Sequence, residues 1–370
     1  MAENKNTETP GQGKSTRRLV SLDAFRGFTV AGMIVVNSPA SWEHVYPPLL
    51  HASWHGITPT DYVFPFFIFI VGISIALSYG KLKAAGVATG KVLGKTFRRA
   101  FLIFVIGIFL SLFPDFNFSE IRIPGVLQRI AIVFLVCAVL FWYTNWKQQA
   151  VVGAAALLLY WIAMVCIPVP GVGTGLLEPG KNLAAWVDSA LVPGKMWQGT
   201  WDPEGVLSTV PAIASGISGM LAGRLIAATA MSQERKVIWL YIAGLCAFAL
   251  GSIWGWGFPI NKNLWTSSYV LYTSGLASMV LASLFFVIEV QGHAAWAKVG
   301  VVFGSNAIVA YVIGSILPDL LMPLNSWYVG SVVEGANWPQ MASLLWALGI
   351  CALCYILVYL LYRRKIFIKI

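Results

Sequence analysis

The sequence predicts an all-α, polytopic membrane protein with about ten transmembrane helices and both termini on the cytoplasmic side. Three observations carry this. Of 370 residues, 58% are hydrophobic and only 11% charged, and the mean hydropathy is +0.74, whereas soluble domains hold about 45–50% apolar residues. Long apolar runs recur, each near the ~20 residues a helix needs to cross a ~30 Å hydrocarbon core. The basic residues fall mainly on alternate connections. The short alternating segments of a membrane β-barrel are absent.

In chain order, residues 1–18 are polar and read as a disordered cytoplasmic tail, with 19–370 as one transmembrane domain. No cleavable leader is expected, because that polar start runs directly into a full span. Spans are predicted at 22–38, 62–80, 98–113, 124–143, 149–168, 206–229, 237–257, 264–289, 298–318 and 341–362. Pro168, Pro170, Pro318 and Pro323 blur the ends of the fifth and ninth.

Charge then orients the bundle. Counting the two tails, the second connection (Lys81 to Arg99), the sixth (Arg224 to Lys236) and Arg26, Lys147 and Lys298, 20 of the 25 basic residues share one side. Arg122, Arg129, Lys181, Lys195 and Lys262 are left for the other. The positive-inside rule makes the first side cytoplasmic. The net charge of +10 is thus a topology signal, and no nucleic-acid partner is expected. The longest outer connection, 169–205, is rich in Pro, Gly and Trp and reads as a lid or acceptor site. No internal repeat is legible, which disfavours a secondary transporter. The five cysteines all lie in apolar runs, and Cys351-x-x-Cys354 reads as packing rather than a redox or zinc pair.

The first outer connection concentrates what the chain otherwise lacks. His44, His51 and His55 lie in it, and Asp61 sits at the lip of the second span. His51 and His55 at helical spacing could share a metal, but Gly56 and Pro59 make a helix there doubtful, and no metal is expected. Asp61 is either a helix N-cap or the partner of a histidine, and one residue can do both. Asn37, at the end of the first span, either closes a helix or faces the same pocket.

Further candidates sit on the outer rim. In Arg122-Ile-Pro124-Gly-Val-Leu-Gln128-Arg129, Pro124 fits a first helical turn, which puts Gln128 and Arg129 just inside the membrane, where a charge is expensive and usually functional. Arg129 could hold a phosphate or carboxylate, or pair with Asp61; a pocket role is favoured. Asp202 and Glu204 enter span six, with Pro203 marking Asp202 as a helix cap. Asn261, Lys262, Asn263 and Trp265 enter span eight, and Asn306 is an intramembrane amide that needs a partner.

These stretches together make the chain recognisable. Ser21-Leu-Asp-Ala-Phe-Arg-Gly27, His51 to Phe67, Arg122 to Arg129, Asp202-Pro-Glu-Gly205, Asn261 to Trp265 and Tyr362 to Ile370 resemble the heparan-α-glucosaminide N-acetyltransferase family from about Arg18 to the end. The resemblance implies a transmembrane acyltransferase domain that moves acetyl groups from cytosolic acetyl-CoA, as co-substrate, to a glucosamine-type amine across the bilayer. It places the active-site histidine on His51, with Asn37 and Asp61 as its companions. It also departs from the lysosomal members: they carry Asn where His55 stands and a histidine near Tyr311-Val312-Ile313. Without a large lumenal domain, the expectation is a bacterial inner-membrane relative, with room for a homodimer.

A charged thioester cannot cross lipid, so such an enzyme must present it to an outward site. His51 could act as general base or as nucleophile, with Asp61 fixing its tautomer and Asn37 donating to the oxyanion. The outer-rim residues from Arg122 to Asn306 are the expected substrate contacts. The rival readings are a permease for amino sugars or muropeptides, and an O-acyltransferase of a surface polysaccharide.

Overall fold

The structure is a computed structural model that describes residues 19–368; the expected tail at 1–18 and the last two residues lie outside it. Among the described residues there are helices and turns but no strand. Eight helices are long and apolar enough to cross a bilayer. They are α1 (Val20–Asn37), α2 (Val63–Ala84), α4 (Val126–Tyr143), α5 (Trp146–Cys166), α7 (Thr209–Ala227), α8 (Gln233–Trp254), α9 (Ser267–Phe285) and α13 (Pro339–Arg363). The short α10 (Lys298–Ser305) and α11 (Ala307–Leu320) form a further pair bent by 75°. The protein is all-α and crosses the membrane many times.

The predicted third span behaves differently. α3 (Thr89–Leu112) is long, but its first half carries Lys91, Lys95, Arg98 and Arg99. Its uncharged part, 100–112, covers about 20 Å at 1.5 Å per residue, and the charged first half carries the helix on to the far end of α2, where Thr96 meets Tyr79. The predicted ninth span breaks at Asn306, where the backbone leaves helical geometry. The Asn306 side chain meets the C-terminal segment there: Nδ2 donates to the Ile366 carbonyl at 3.0 Å, and Oδ1 accepts from the Ile368 amide at 2.9 Å.

Small residues let the helix backbones touch. A Cβ on Gly27 of α1 would stand 1.7 Å from the Gly300 carbonyl oxygen of α10, and one on Gly304 would stand 1.9 Å from that of Asp23. The spacing Gly300-x-x-x-Gly304 is the small-residue signature of membrane helix pairs, where close van der Waals contact replaces a hydrophobic driving force. This explains part of the Ser21-to-Gly27 motif. Arg26 in the same motif donates to Ser74 of α2 at 2.7 Å and to Asp23 at 3.2 Å.

At the N-terminal end of α2, long loops interlock into a cap. Gly56 donates its amide to Ile260 at 2.8 Å, the Trp54 indole to the Leu177 carbonyl at 2.7 Å, and the Lys195 amide to Ile121 at 2.9 Å. A short helix, α6 (Leu183–Leu191), braces this cap. Residues far apart in sequence are thereby brought around the start of α2.

Candidate active site

Asp61 is the pivot. It occupies the 3₁₀ turn Pro59–Tyr62 that leads into α2. The N-cap is Thr58 and not Asp61: Asp61 is the third residue of a capping box, reaching back to the Thr58 amide. Its Oδ2 accepts from the Thr58 amide at 2.9 Å, the Ala52 amide at 3.1 Å and the Thr58 hydroxyl at 3.1 Å. That leaves Oδ1 for His51 Nδ1, at 2.7 Å. The Asp61 side chain is 1% exposed and that of His51 46%. A fixed, buried carboxylate thus holds an imidazole open to solvent. Because the carboxylate only accepts, His51 presents an N–H at Nδ1, which in the neutral ring leaves the lone pair on Nε2.

Lys262 arrives from 211 residues away. Its Nζ lies 3.1 Å from His51 Nδ1, 3.0 Å from Nε2 and 3.9 Å from Asp61 Oδ1. No point in the ring plane is that close to both nitrogens without overlapping Cε1, so the ammonium sits over the imidazole face. Burial lowers the Lys262 pKa, against the opposing charges of Glu204 and Asp61. Neighbouring Asn261 is buried; its Oδ1 accepts from the Leu264 amide at 2.9 Å, and its Nδ2 lies 3.3 Å from His55 Nδ1. His55 fastens the His51 loop to the Lys262 loop, and burial lowers its pKa. Tyr269 of α9 donates its hydroxyl to the Asp61 carbonyl at 2.6 Å, a contact that nothing in the local sequence signals.

The second half of the site is a compact ion cluster. Arg122 grips Asp202 with Nε to Oδ2 and Nη2 to Oδ1, both at 2.7 Å, and reaches Glu204 at 2.6 Å. Trp197 covers its guanidinium at 4.9 Å. Despite the cost of burying Asp202, Arg122 holds its carboxyl below the ordinary range. Asp202 does not cap α7, which begins seven residues later at Thr209. It caps the intervening turn instead, accepting from the Glu204 amide at 2.9 Å. Pro124 likewise lies just outside its helix, since α4 begins at Val126 after Gly125.

Arg129 is 1% exposed and does not pair with Asp61. One of its nitrogens donates to Ser208 Oγ and to the Gly205 carbonyl, while Trp265 lies against its face at 5.0 Å. Among the described residues its Nε and Nη1 have no partner, and neither has Nε2 of Gln128. Trp265 is fully buried, donates to Ser215 at 3.1 Å and packs edge-on against Phe64 of α2, 4.9 Å between ring centres. The Arg129 charge therefore lies one aromatic ring away from the residues flanking Asp61. Asp188 of α6, which the sequence reading did not single out, accepts from the Val206 amide at 2.7 Å, and burial pushes its pKa up to about 6.

The other sequence candidates make no hydrogen bond to the His51–Asp61 pair. Asn37 ends α1 with an exposed side chain and makes no hydrogen bond to His51 or Asp61. Asn263 is half-buried beside Lys262. Asn306 is near the far end of α1, because Gly304 abuts Asp23 there, and its amide is used on the C-terminal segment. Among the described residues, no group of three or more His, Cys, Asp or Glu side chains is disposed to hold a metal ion.

Residues 18–179 match the family model described as heparan-alpha-glucosaminide N-acetyltransferase, catalytic, a region that contains His51, Asp61, Arg122 and Arg129. The chain is 31% identical to the mouse heparan-alpha-glucosaminide N-acetyltransferase over 96% of its own length and 61% of the mouse protein. Against the human protein the identity is again 31%, over 95% of this chain and 60% of the relative. The chain thus spans about three fifths of the length of these relatives. With a catalytic-region match and similarity running almost from end to end, it belongs to the heparan-alpha-glucosaminide N-acetyltransferase family.

Proposed function

We propose that the protein is a transmembrane N-acetyltransferase that moves an acetyl group from acetyl-CoA on the basic, cytosolic side to a glucosamine-type amine on the opposite side. The setting is a bacterial cytoplasmic membrane. The observation that carries the reading is the Asp61–His51 pair at 2.7 Å, with the reactive Nε2 facing outward beside the Lys262 ammonium. The names of the relatives supply the acetyl transfer and the glucosaminide; the clustering of 20 basic residues on alternate connections supplies the orientation.

The chemistry follows from atom placement. As a general base, Nε2 takes the proton of the acceptor ammonium, and the freed amine attacks the thioester carbonyl. A C–N bond forms, the C–S bond breaks, the imidazolium returns its proton to the departing thiolate, and the new amide nitrogen loses its remaining extra proton to solvent. As a nucleophile, Nε2 takes the acetyl group first, and the amine then removes it. Both routes need the lone pair on Nε2, and Asp61 selects the neutral tautomer that puts it there. Both place negative charge on the carbonyl oxygen, and Lys262 is the cation positioned to receive it. Asn37 is a further oxyanion donor in this reading and acts on substrate directly. The two unpartnered nitrogens of Arg129, beside Gln128, meet the acceptor's hydroxyls, while Arg122, Asp202 and Glu204 hold the rim in shape. Asn261 and Asn263 keep Lys262 in place.

The test is the purified protein with labelled acetyl-CoA and a panel of amino sugars, scoring acetylated product and free CoA. An N-acetyltransferase releases both in equal amounts. An O-acyltransferase acetylates only hydroxyl acceptors, and a permease for amino sugars or muropeptides releases no CoA. His51→Ala should abolish transfer in a protein that remains folded; near wild-type turnover would sink the assignment.

A further inference from the structure

At the other end of α2 lies a cavity of about 240 Å³ whose wall includes Ser78, Tyr79, Lys91, Lys95 and Arg99. Between Asp61 and Asp115 the sequence holds six basic residues and no acid. None of Lys91, Lys95 and Arg99 forms an ion pair among the described residues. Lys83, just outside the cavity, is already committed to the Trp142 carbonyl at 2.8 Å. Arg99 lays its guanidinium over Phe134 at 4.9 Å, which occupies its face and leaves its N–H edge open. α2 and α3 are tied together in this wall, where the Tyr79 hydroxyl is hydrogen-bonded to Thr96 of α3 at 2.6 Å.

Three cations converging on one open pocket, with no carboxylate among its described lining residues, attract a polyanion. A guanidinium edge flanked by two ammonium groups and the Ser78 hydroxyl matches phosphate oxygens. We propose that this cavity is a phosphate-ester site. The phosphates belong either to the nucleotide end of the acyl donor or to the headgroup of an anionic lipid. The first source rests on the function proposed above and deepens it: Ser78 lies about 22 Å along α2 from Val63, at 1.5 Å per residue. A ligand anchored here by its phosphates would need a long neutral arm to deliver its reactive end beside His51.

The experiment uses the full chain in nanodiscs of phosphatidylcholine alone. Adenosine 3′,5′-bisphosphate is titrated by calorimetry, and retained phosphatidylglycerol is measured by native mass spectrometry after mixed-lipid reconstitution. Saturable nucleotide binding that weakens at least tenfold in Lys95→Gln/Arg99→Gln, but not in Lys81→Gln outside the cavity, supports the donor as source. No nucleotide binding, with phosphatidylglycerol retained by wild type and lost from the double variant, supports the lipid. Identical nucleotide binding and lipid retention in wild type and double variant overturns the site. Lys95→Arg/Arg99→Lys, which keeps the charge, should bind within threefold of wild type. If the double variant does not fold, Lys91→Gln on the exposed first turn of α3 is read the same way. Acetyl transfer with no effect of these variants leaves the enzymatic reading intact; binding without any transfer leaves the site intact and refutes the enzyme.

Discussion

Asp61→Asn is the most discriminating change at the His51 site. The carboxylate has two separable tasks, because Oδ2 takes the Thr58 and Ala52 amides and Oδ1 takes His51. In the asparagine variant the two backbone amides require the single amide oxygen at Oδ2. The NH₂ group is then forced toward His51 Nδ1, which must accept. The imidazole proton moves to Nε2, and the reacting lone pair is lost. The backbone bonds survive, so the stability cost is that of one charge-assisted hydrogen bond to a half-exposed ring, about 1.5–3 kcal/mol. The cost to turnover is larger, about 10²–10⁴-fold, as when a general base is held in the wrong tautomer. Asp61→Ala differs, because it leaves buried amides unpaired at about 1–3 kcal/mol each and should unfold well before the asparagine variant. The assay pairs CoA release with ¹⁵N chemical shifts of the His51 ring. An asparagine variant that turns over within threefold of wild type, or keeps its proton on Nδ1, refutes the reasoning.

Further outcomes follow from the same contacts. Lys262→Met should lower kcat about 10²-fold, the scale of losing one oxyanion donor, with the donor KM nearly unchanged; a pure KM effect would reassign the residue to binding. Burial lowers the Lys262 pKa, so the alkaline loss of activity should begin below the ordinary lysine range and move upward in Lys262→Arg. Asp188, raised by burial from 3.8 to about 6, binds its proton more tightly folded than unfolded. Its contribution to stability is therefore full below pH 3.8 and lost as pH rises toward 6, a swing of about 3 kcal/mol. Asp188→Asn should flatten thermal stability across that window. Gly27→Ala sets a Cβ 1.7 Å from the Gly300 carbonyl oxygen and should cost at least 1–3 kcal/mol by overpacking, measured as a lower thermal midpoint in detergent. An unchanged midpoint would mean that α1 and α10 separate freely.

Apolar length and the scarcity of charge identified the membrane class from the amino-acid order alone, because crossing hydrocarbon imposes a constraint on every ~20-residue stretch independently of its neighbours. That constraint located eight helices within a few residues. The four charges in the first half of α3 keep that helix from meeting the same apolar criterion, and the criterion missed the break at Asn306, where the side chain bonds to Ile366 and Ile368. The His51–Asp61 pair, ten residues apart, was within reach of local reading. Long-range convergence was not: Lys262 meets His51 across 211 residues, and Tyr269 meets Asp61 across 208. Arg122 is spent on Asp202 and Glu204, while Arg129 keeps two free donors, and no spacing rule distinguishes two arginines seven apart. Residue types and hydropathy determined which groups the protein could use and at which edge of the membrane. Packing decided which of them touch, because a side chain's partners depend on how helices cross, and that is settled by small-residue contacts spread over the whole chain.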